Sequence, residues 1–229
     1  KQTEDFVLNV APQCFPKDIA NAAYMAKLEV ESKEVSANIH CFNDHFKNVC
    51  SEHIGLIHNN SHIDNSFFWV DDEGRSDAGL LDFGGLSPSL LAGTLGNNMG
   101  CVDAEVRAHH MEGLVNCFCD TLHEFGGPKF VAANLHRHIV LVDMKAITGA
   151  MMVVESGGFG GILERKPREE WASVKDLSDP IFDVEDKDTM MLRIGLVSLV
   201  EGLKTWKLAD YHTVFTKWRA LYGTAPRKK

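Results

Sequence analysis

The chain has 229 residues, 45% hydrophobic and 24% charged, enough to bury the core of one large domain or two small ones. A formal charge of −9, from 23 Lys and Arg against 32 Asp and Glu, argues against a nucleic-acid or anionic-membrane binder, which would carry a basic face. The longest apolar stretch, Ile139 to Val154, is interrupted by Asp143 and Lys145 and falls short of the roughly 20 apolar residues of a membrane span, so it is expected to be a buried helix of a soluble protein.

The chain opens at Lys1 without Met and without a signal-like apolar stretch, as expected of a processed or truncated start. From Val35, the residues Ile39, Phe42, Phe46 and Val49 recur at steps of four and three, the spacing of one helical face. Ile54-Gly55-Leu56-Ile57 is a short strand candidate. After a polar octet come Phe67-Phe68-Trp69-Val70, the acidic turn Asp71-Asp72-Glu73-Gly74, and Ala78-Gly79-Leu80-Leu81, the signature of a β-hairpin.

Beyond residue 100, Val106, His110, Leu114, Cys117, Phe118, Thr121, Leu122 and Phe125 keep helical spacing until Gly126-Gly127-Pro128 ends the helix. A second helix is expected over Lys129 to Val154. Gly157-Gly158-Phe159-Gly160-Gly161 and the charged stretch Glu164 to Asp188, with Pro167 and Pro180, predict a loop and an irregular connection. Helices over Thr189 to Trp206 and Ala209 to Leu221 complete the pattern, which contains no repeat of fixed period.

The segment His58-Asn59-Asn60-Ser61-His62-Ile63-Asp64-Asn65 lies between the short strand and the hairpin, and Asp82-Phe83-Gly84 follows the hairpin. Phosphoryl transfer needs magnesium to bridge the phosphates, and an Asn after a catalytic loop with an Asp at the end of a hairpin can hold it from adjacent rigid elements. Asn65 and Asp82 stand at those two places.

In this layout the chain resembles the aminoglycoside-phosphotransferase superfamily, of the ecdysteroid-kinase-like and choline-kinase-like kind. Its members carry H-G-D-x-H-x-x-N or H-N-D-x-x-x-x-N, then a hairpin, then a D-F or D-W pair. His58, Asn59, His62, Asn65, Asp82 and Phe83 match, and the similarity extends over about residues 35 to 155, including Ser87-Pro88-Ser89 and the helix from Asp103 to Phe125.

The resemblance implies an α+β, mainly helical fold: a protein-kinase-like large (C-terminal) lobe with one small β-hairpin. It implies one domain over 1–229, with leading helices in 1–53, the catalytic-loop-like segment and hairpin in 54–86, and a helical subdomain in 87–229 that carries the charged connection 157–188. Magnesium and ATP would be held through Asn65 and Asp82.

Three features depart from an active kinase. The aspartate that accepts the substrate proton is replaced by Asn60, an amide that takes up no proton at neutral pH, and losing a general base costs about 10²- to 10⁴-fold. Leu90-Leu91 stand where the family carries another Asp. The residues before His58 offer no place for a nucleotide-binding lobe of five strands with its lysine. Asp64 is a candidate substitute base, although a residue just before the metal-binding Asn is expected to point elsewhere.

Other chemistry is weaker. His58, His62, His109, His110, His136 and His138 invite a metal reading, but the one pair at i, i+4, His58 and His62, falls in the polar loop, and neither His109 and His110 nor His136 and His138 have the spacing that chelates from a helix. Cys14, Cys41, Cys50, Cys101, Cys117 and Cys119 form no C-x-x-C pair, which favours free thiols and a reducing intracellular compartment. The glycine cluster at 157–161 lacks the G-x-G-x-x-G order of a phosphate loop. Trp171, Trp206, Tyr211, Phe215, Trp218 and Tyr222 are expected to be core, part of them a docking face.

The sequence therefore predicts a catalytically degenerate, pseudokinase-like domain that acts as an interaction or scaffold subunit. It would pair with another protein chain or a separate N-terminal lobe, and no cofactor is expected in the isolated chain. The alternatives are the C-terminal part of an ATP- and magnesium-dependent small-molecule O-phosphotransferase, and a small-ligand binding module.

Overall fold

A computed structural model describes residues 2–48, 51–61, 63–152, 154, 161–183 and 186–222. In chain order the elements are α1 (Gln2–Asp5), α2 (Ala22–Ala37), α3 (Ile39–Asn48), β1 (Ile54–His58), β2 (Ser66–Val70), β3 (Ser76–Leu80), β4 (Leu86–Leu90), α4 (Leu91–Asn98), α5 (Ala104–Glu124), α6 (Ala132–Met152), α7 (Ile162–Arg165), α8 (Lys187–Leu208) and α9 (Tyr211–Tyr222), joined in places by short 3₁₀ or π turns. The chain is mainly helical and α+β, with two small antiparallel sheets among the described residues.

Helix starts follow the side chains that cap them. Asn21 accepts from the Ala23 and Tyr24 amides at α2, Asp103 from Glu105 and Val106 at α5, and Asp186 from Asp188 and Thr189 at α8. Each satisfies amide donors that the first helical turn leaves unpaired. At the other end of α5, Gly126 takes φ +88, and the Gly126 and Gly127 amides bond the His123 and Leu122 carbonyls, so the expected glycine stop is present.

The periodic run from Val35 to Phe46 is not one helix. It breaks at Asn38, whose amide side chain bonds back to the Glu34 carbonyl, an alternative to the helical ladder that Asn readily takes.

The expected hairpin is β2–β3, in register Ser66↔Leu80 to Val70↔Ser76. The expectation of a single hairpin needs one correction, because β1 also pairs antiparallel with β4, from Ile54↔Leu90 to His58↔Leu86. Pro88 sits inside β4 opposite Leu56; a strand with one open side tolerates a residue that lacks an amide donor. The two sheets together bracket the segment from His58 to Leu86.

Contacts divide the chain into two compact units. The first comprises residues 1–39, 101–108 and 144–229. Phe6 packs edge-on against Trp171 at 5.1 Å between ring centres, and Trp206, Tyr211, Phe215 and Trp218 are buried. Most of the late aromatic set is thus core, with Tyr222 partly exposed. Within this unit the buried Glu31 carboxylate accepts from Trp206 Nε1 at 2.8 Å.

The second unit comprises residues 40–100 and 109–143 and contains both sheets. Its core joins Ala92, Met111, Val115, Cys119, Leu135 and Ile139. Cys14, Cys41, Cys101, Cys117 and Cys119 are free thiols; Cys50 lies outside the described residues, as do His62 and the glycines from 157 to 160. No described helix is long and apolar enough to cross a membrane.

Candidate functional site

His58, Asn60, Asp64, Asn65 and Asp82 all lie in the second unit, where the β1–β4 pair and the β2–β3 hairpin flank two facing stretches, one around 59–61 and 63–65 and the other over 81–85. His58 ends β1 and is buried. Its Nε2 donates to the Leu81 carbonyl at 2.7 Å, and its Nδ1 accepts the Asn60 amide at 3.2 Å. Both ring nitrogens are therefore occupied, and the tautomer with the proton on Nε2 is required. The edge of the imidazole meets the Phe83 ring at 5.3 Å. His58 is a brace between the two loops.

Asn59 donates through Nδ2 to the Gly85 carbonyl and the Ser87 hydroxyl, a second tie across the loops. Ser61 Oγ donates to the His58 carbonyl at 3.0 Å. Asn65 Nδ2 donates to the Asn60 carbonyl at 2.7 Å, and the Leu81 amide bonds the Asn65 carbonyl at 2.8 Å. The first of these bonds fixes the Asn65 amide plane and leaves its Oδ1 as an oxygen donor for a cation. Asp82 adopts left-handed backbone, φ 53 and ψ 58, a conformation that costs a non-glycine residue about 1 kcal/mol or more. The preceding residue, Leu81, is held through its carbonyl by His58 and through its amide by Asn65.

Asn60, Asp64 and Asp82 are exposed and Asn65 is half-buried. Asp64 lies on a 3₁₀ turn, Ile63–Asn65. The structure thus brings His58, Asn60 and Asn65 into one bonded loop and sets Asp82 on the facing loop. The side chain at position 60 is an amide. Among the described residues, no group of three or more His, Cys, Asp or Glu is placed to hold a metal ion. Asn65 and Asp82 supply two oxygen donors of the kind magnesium takes alongside phosphate oxygens.

The hairpin beside this site is bare. Phe68 and Val70 on one face are 67% and 66% exposed, and Phe67 and Trp69, stacked on the other at 5.2 Å, are exposed as well. Leu80, Leu81 and Phe83 extend the apolar surface. Asp71, Asp72 and Glu73 surround the turn, where Arg75 pairs with Asp71 at 2.7 Å and Glu73 at 3.0 Å. A two-stranded ribbon open on both faces is marginal by itself.

A second polar cluster in the same unit was not legible in the sequence. His45 from α3, His53 from the 3₁₀ turn Ser51–His53 and His138 from α6 are all buried. The His53 and His138 rings meet edge-to-face at 4.5 Å, and His45 and His138 at 5.9 Å. Phe130 stacks on His53 at 4.2 Å. Desolvation pushes the His138 imidazole down to about 4, and its imidazole neighbours add to that shift; His45 and His53 are lowered by the same cause, opposed by Glu52.

No protein-family model, curated protein or solved structure matches this chain.

Proposed function

We propose that the chain is a kinase-like large lobe whose catalytic loop has lost its base, and that it works as an interaction subunit through the bare hairpin face. The observation that carries this reading is the exposure of Phe67, Phe68, Trp69 and Val70 on both faces of β2, beside a loop that keeps the bracing His58 and the ligand-type Asn65 and Asp82. Contiguous exposed apolar surface of this kind marks a binding face.

The order of strand, polar loop, hairpin, Asp-Phe and returning strand supports the kinase-like reading. So do the hydrogen bonds that tie the two loops through His58 and Asn59. Where magnesium and a nucleoside triphosphate bind, Asn65 and Asp82 are the residues that would hold the ion, which would supply charge neutralisation for phosphoryl transfer. Asn60 would present an amide to the acceptor hydroxyl and could not take its proton.

The retained Asn65 and Asp82 favour one second reading, the C-terminal part of a small-molecule O-phosphotransferase. The two readings separate in an assay of magnesium-ATP binding and of phosphoryl transfer to amino-alcohols and sterols, by the chain and by Asn60→Asp. The interaction reading expects no transfer by the unaltered chain. Transfer by the unaltered chain, lost on Asp82→Ala, would replace it with the enzyme reading.

A further inference from the structure

Within the first unit, α1, α2 and the C-terminal half of α6 enclose a groove of about 570 Å³, in the size range of small-molecule sites. Met25, Leu28, Ile39 and Met151 supply its apolar lining. Gly149 keeps it open, since a Cβ built there meets nothing within 4 Å. Three of the four hydroxyls on its wall are already committed: Thr3 donates to the Met151 carbonyl at 2.7 Å, Ser32 to the Glu29 carbonyl at 3.2 Å, and Thr148 to the Met144 carbonyl at 2.8 Å, while the fourth, Ser36, is uncharged. Lys33 is bound to Glu29 at 2.6 Å.

Two charged side chains of the lining remain, Glu4 and Lys145, and among the described residues neither has a hydrogen-bond or ion-pair partner. Their placement is polar in the geometric sense. The Thr3–Met151 bond sets α1, and with it Glu4, at the Met151 end. Lys145 lies six residues earlier on α6, about 9 Å along the axis at 1.5 Å per residue. The groove is thus apolar along its length, with an unpaired carboxylate at one end and an unpaired ammonium at the other.

We propose that this groove binds a zwitterionic small molecule with an apolar body, its anionic group at Lys145 and its ammonium group at Glu4. A ligand charged at one end satisfies one of the two groups; a molecule with both charges satisfies both. The site is separate from the loop at His58 and does not depend on the kinase-like reading.

The test is calorimetric titration of the full chain with ω-aminooctanoate, octanoate and octylamine at millimolar concentration. The zwitterion is expected to bind one-to-one and about two- to fivefold tighter than either single-charge analogue, the range of a solvent-accessible ion pair. Lys145→Gln should reduce its affinity to that of octylamine, and Gly149→Leu should abolish binding of all three. Leu is the better helix former and its Cβ meets open space, so circular dichroism should show that variant folded. No binding of ω-aminooctanoate, affinity no better than octanoate, or binding unchanged by Gly149→Leu would each overturn the proposal.

Discussion

Acid should weaken the second unit through His138 before carboxylates take part. In the folded chain the His138 imidazole is held down to about 4, against 6.5 when unfolded, by burial and by the neighbouring His53 and His45. Arg137 adds to the effect, while Glu52, 3.8 Å from His53 Nε2, acts in the opposite direction on His53 and His45. A depressed histidine favours the neutral folded state. Its stabilisation is complete above pH 6.5 and is lost as pH falls toward 4. With those two values, the loss between about pH 7.5 and pH 5 is at most about 2 kcal/mol.

His45 and His53, lowered in the same direction, should steepen the slope. The carboxylates with lowered values, such as Asp103 beside Lys204, lose their contribution only at lower pH. Urea unfolding at a series of pH values, for the chain and for His138→Phe, measures the difference. The phenyl ring keeps the edge-to-face packing and does not titrate, so the variant should lose about 2 kcal/mol less over the window. Equal losses in both proteins would refute the reasoning.

In the first unit, Trp206→Phe removes the indole donor of the buried Glu31 carboxylate and should cost about 1–3 kcal/mol in urea unfolding; an unchanged midpoint would mean that the bond adds nothing. In the hairpin, a Cβ at Gly79 would lie 2.3 Å from Phe67 Cζ, so Gly79→Ala should drive Phe67 off Trp69. Trp69 is the exposed one of the chain's four tryptophans, and acrylamide quenching should change while stability moves by less than about 1 kcal/mol. Unaltered quenching would show that the stack does not depend on the glycine. Finally, Asn59→Ala deletes the side-chain ties to Gly85 and Ser87 and should speed amide exchange across residues 81–87, with little effect on α8 and α9.

The helices were legible because their apolar spacing and glycine stops are local signals: α5, α6, α8 and α9 lie within a few residues of their expected spans. The break at Asn38 was hidden because the apolar period runs through it, and only the side-chain bond to Glu34 reveals the end of α2. Strand β4 was hidden by Pro88, which marks a loop in a sequence but is admitted by a strand with an open edge.

At the site, the spacing of His58, Asn65 and Asp82 was enough to bring the residues together, since the intervening hairpin fixes the return of the chain. Spacing said nothing of the two bonds that use up the His58 ring or of the left-handed backbone at Asp82. The histidine cluster escaped because His45, His53 and His138 come from three elements far apart in sequence, and only packing joins them.

The proposed docking role of the hairpin is open to direct measurement by placing a photo-crosslinking amino acid at Phe68 and, separately, at Val30 of the first unit, which are 67% and 68% exposed. With exposure matched, position 68 should give a discrete cross-linked partner and position 30 none, in cells that make the protein naturally. The same pattern from both positions, or no product from position 68, would contradict it.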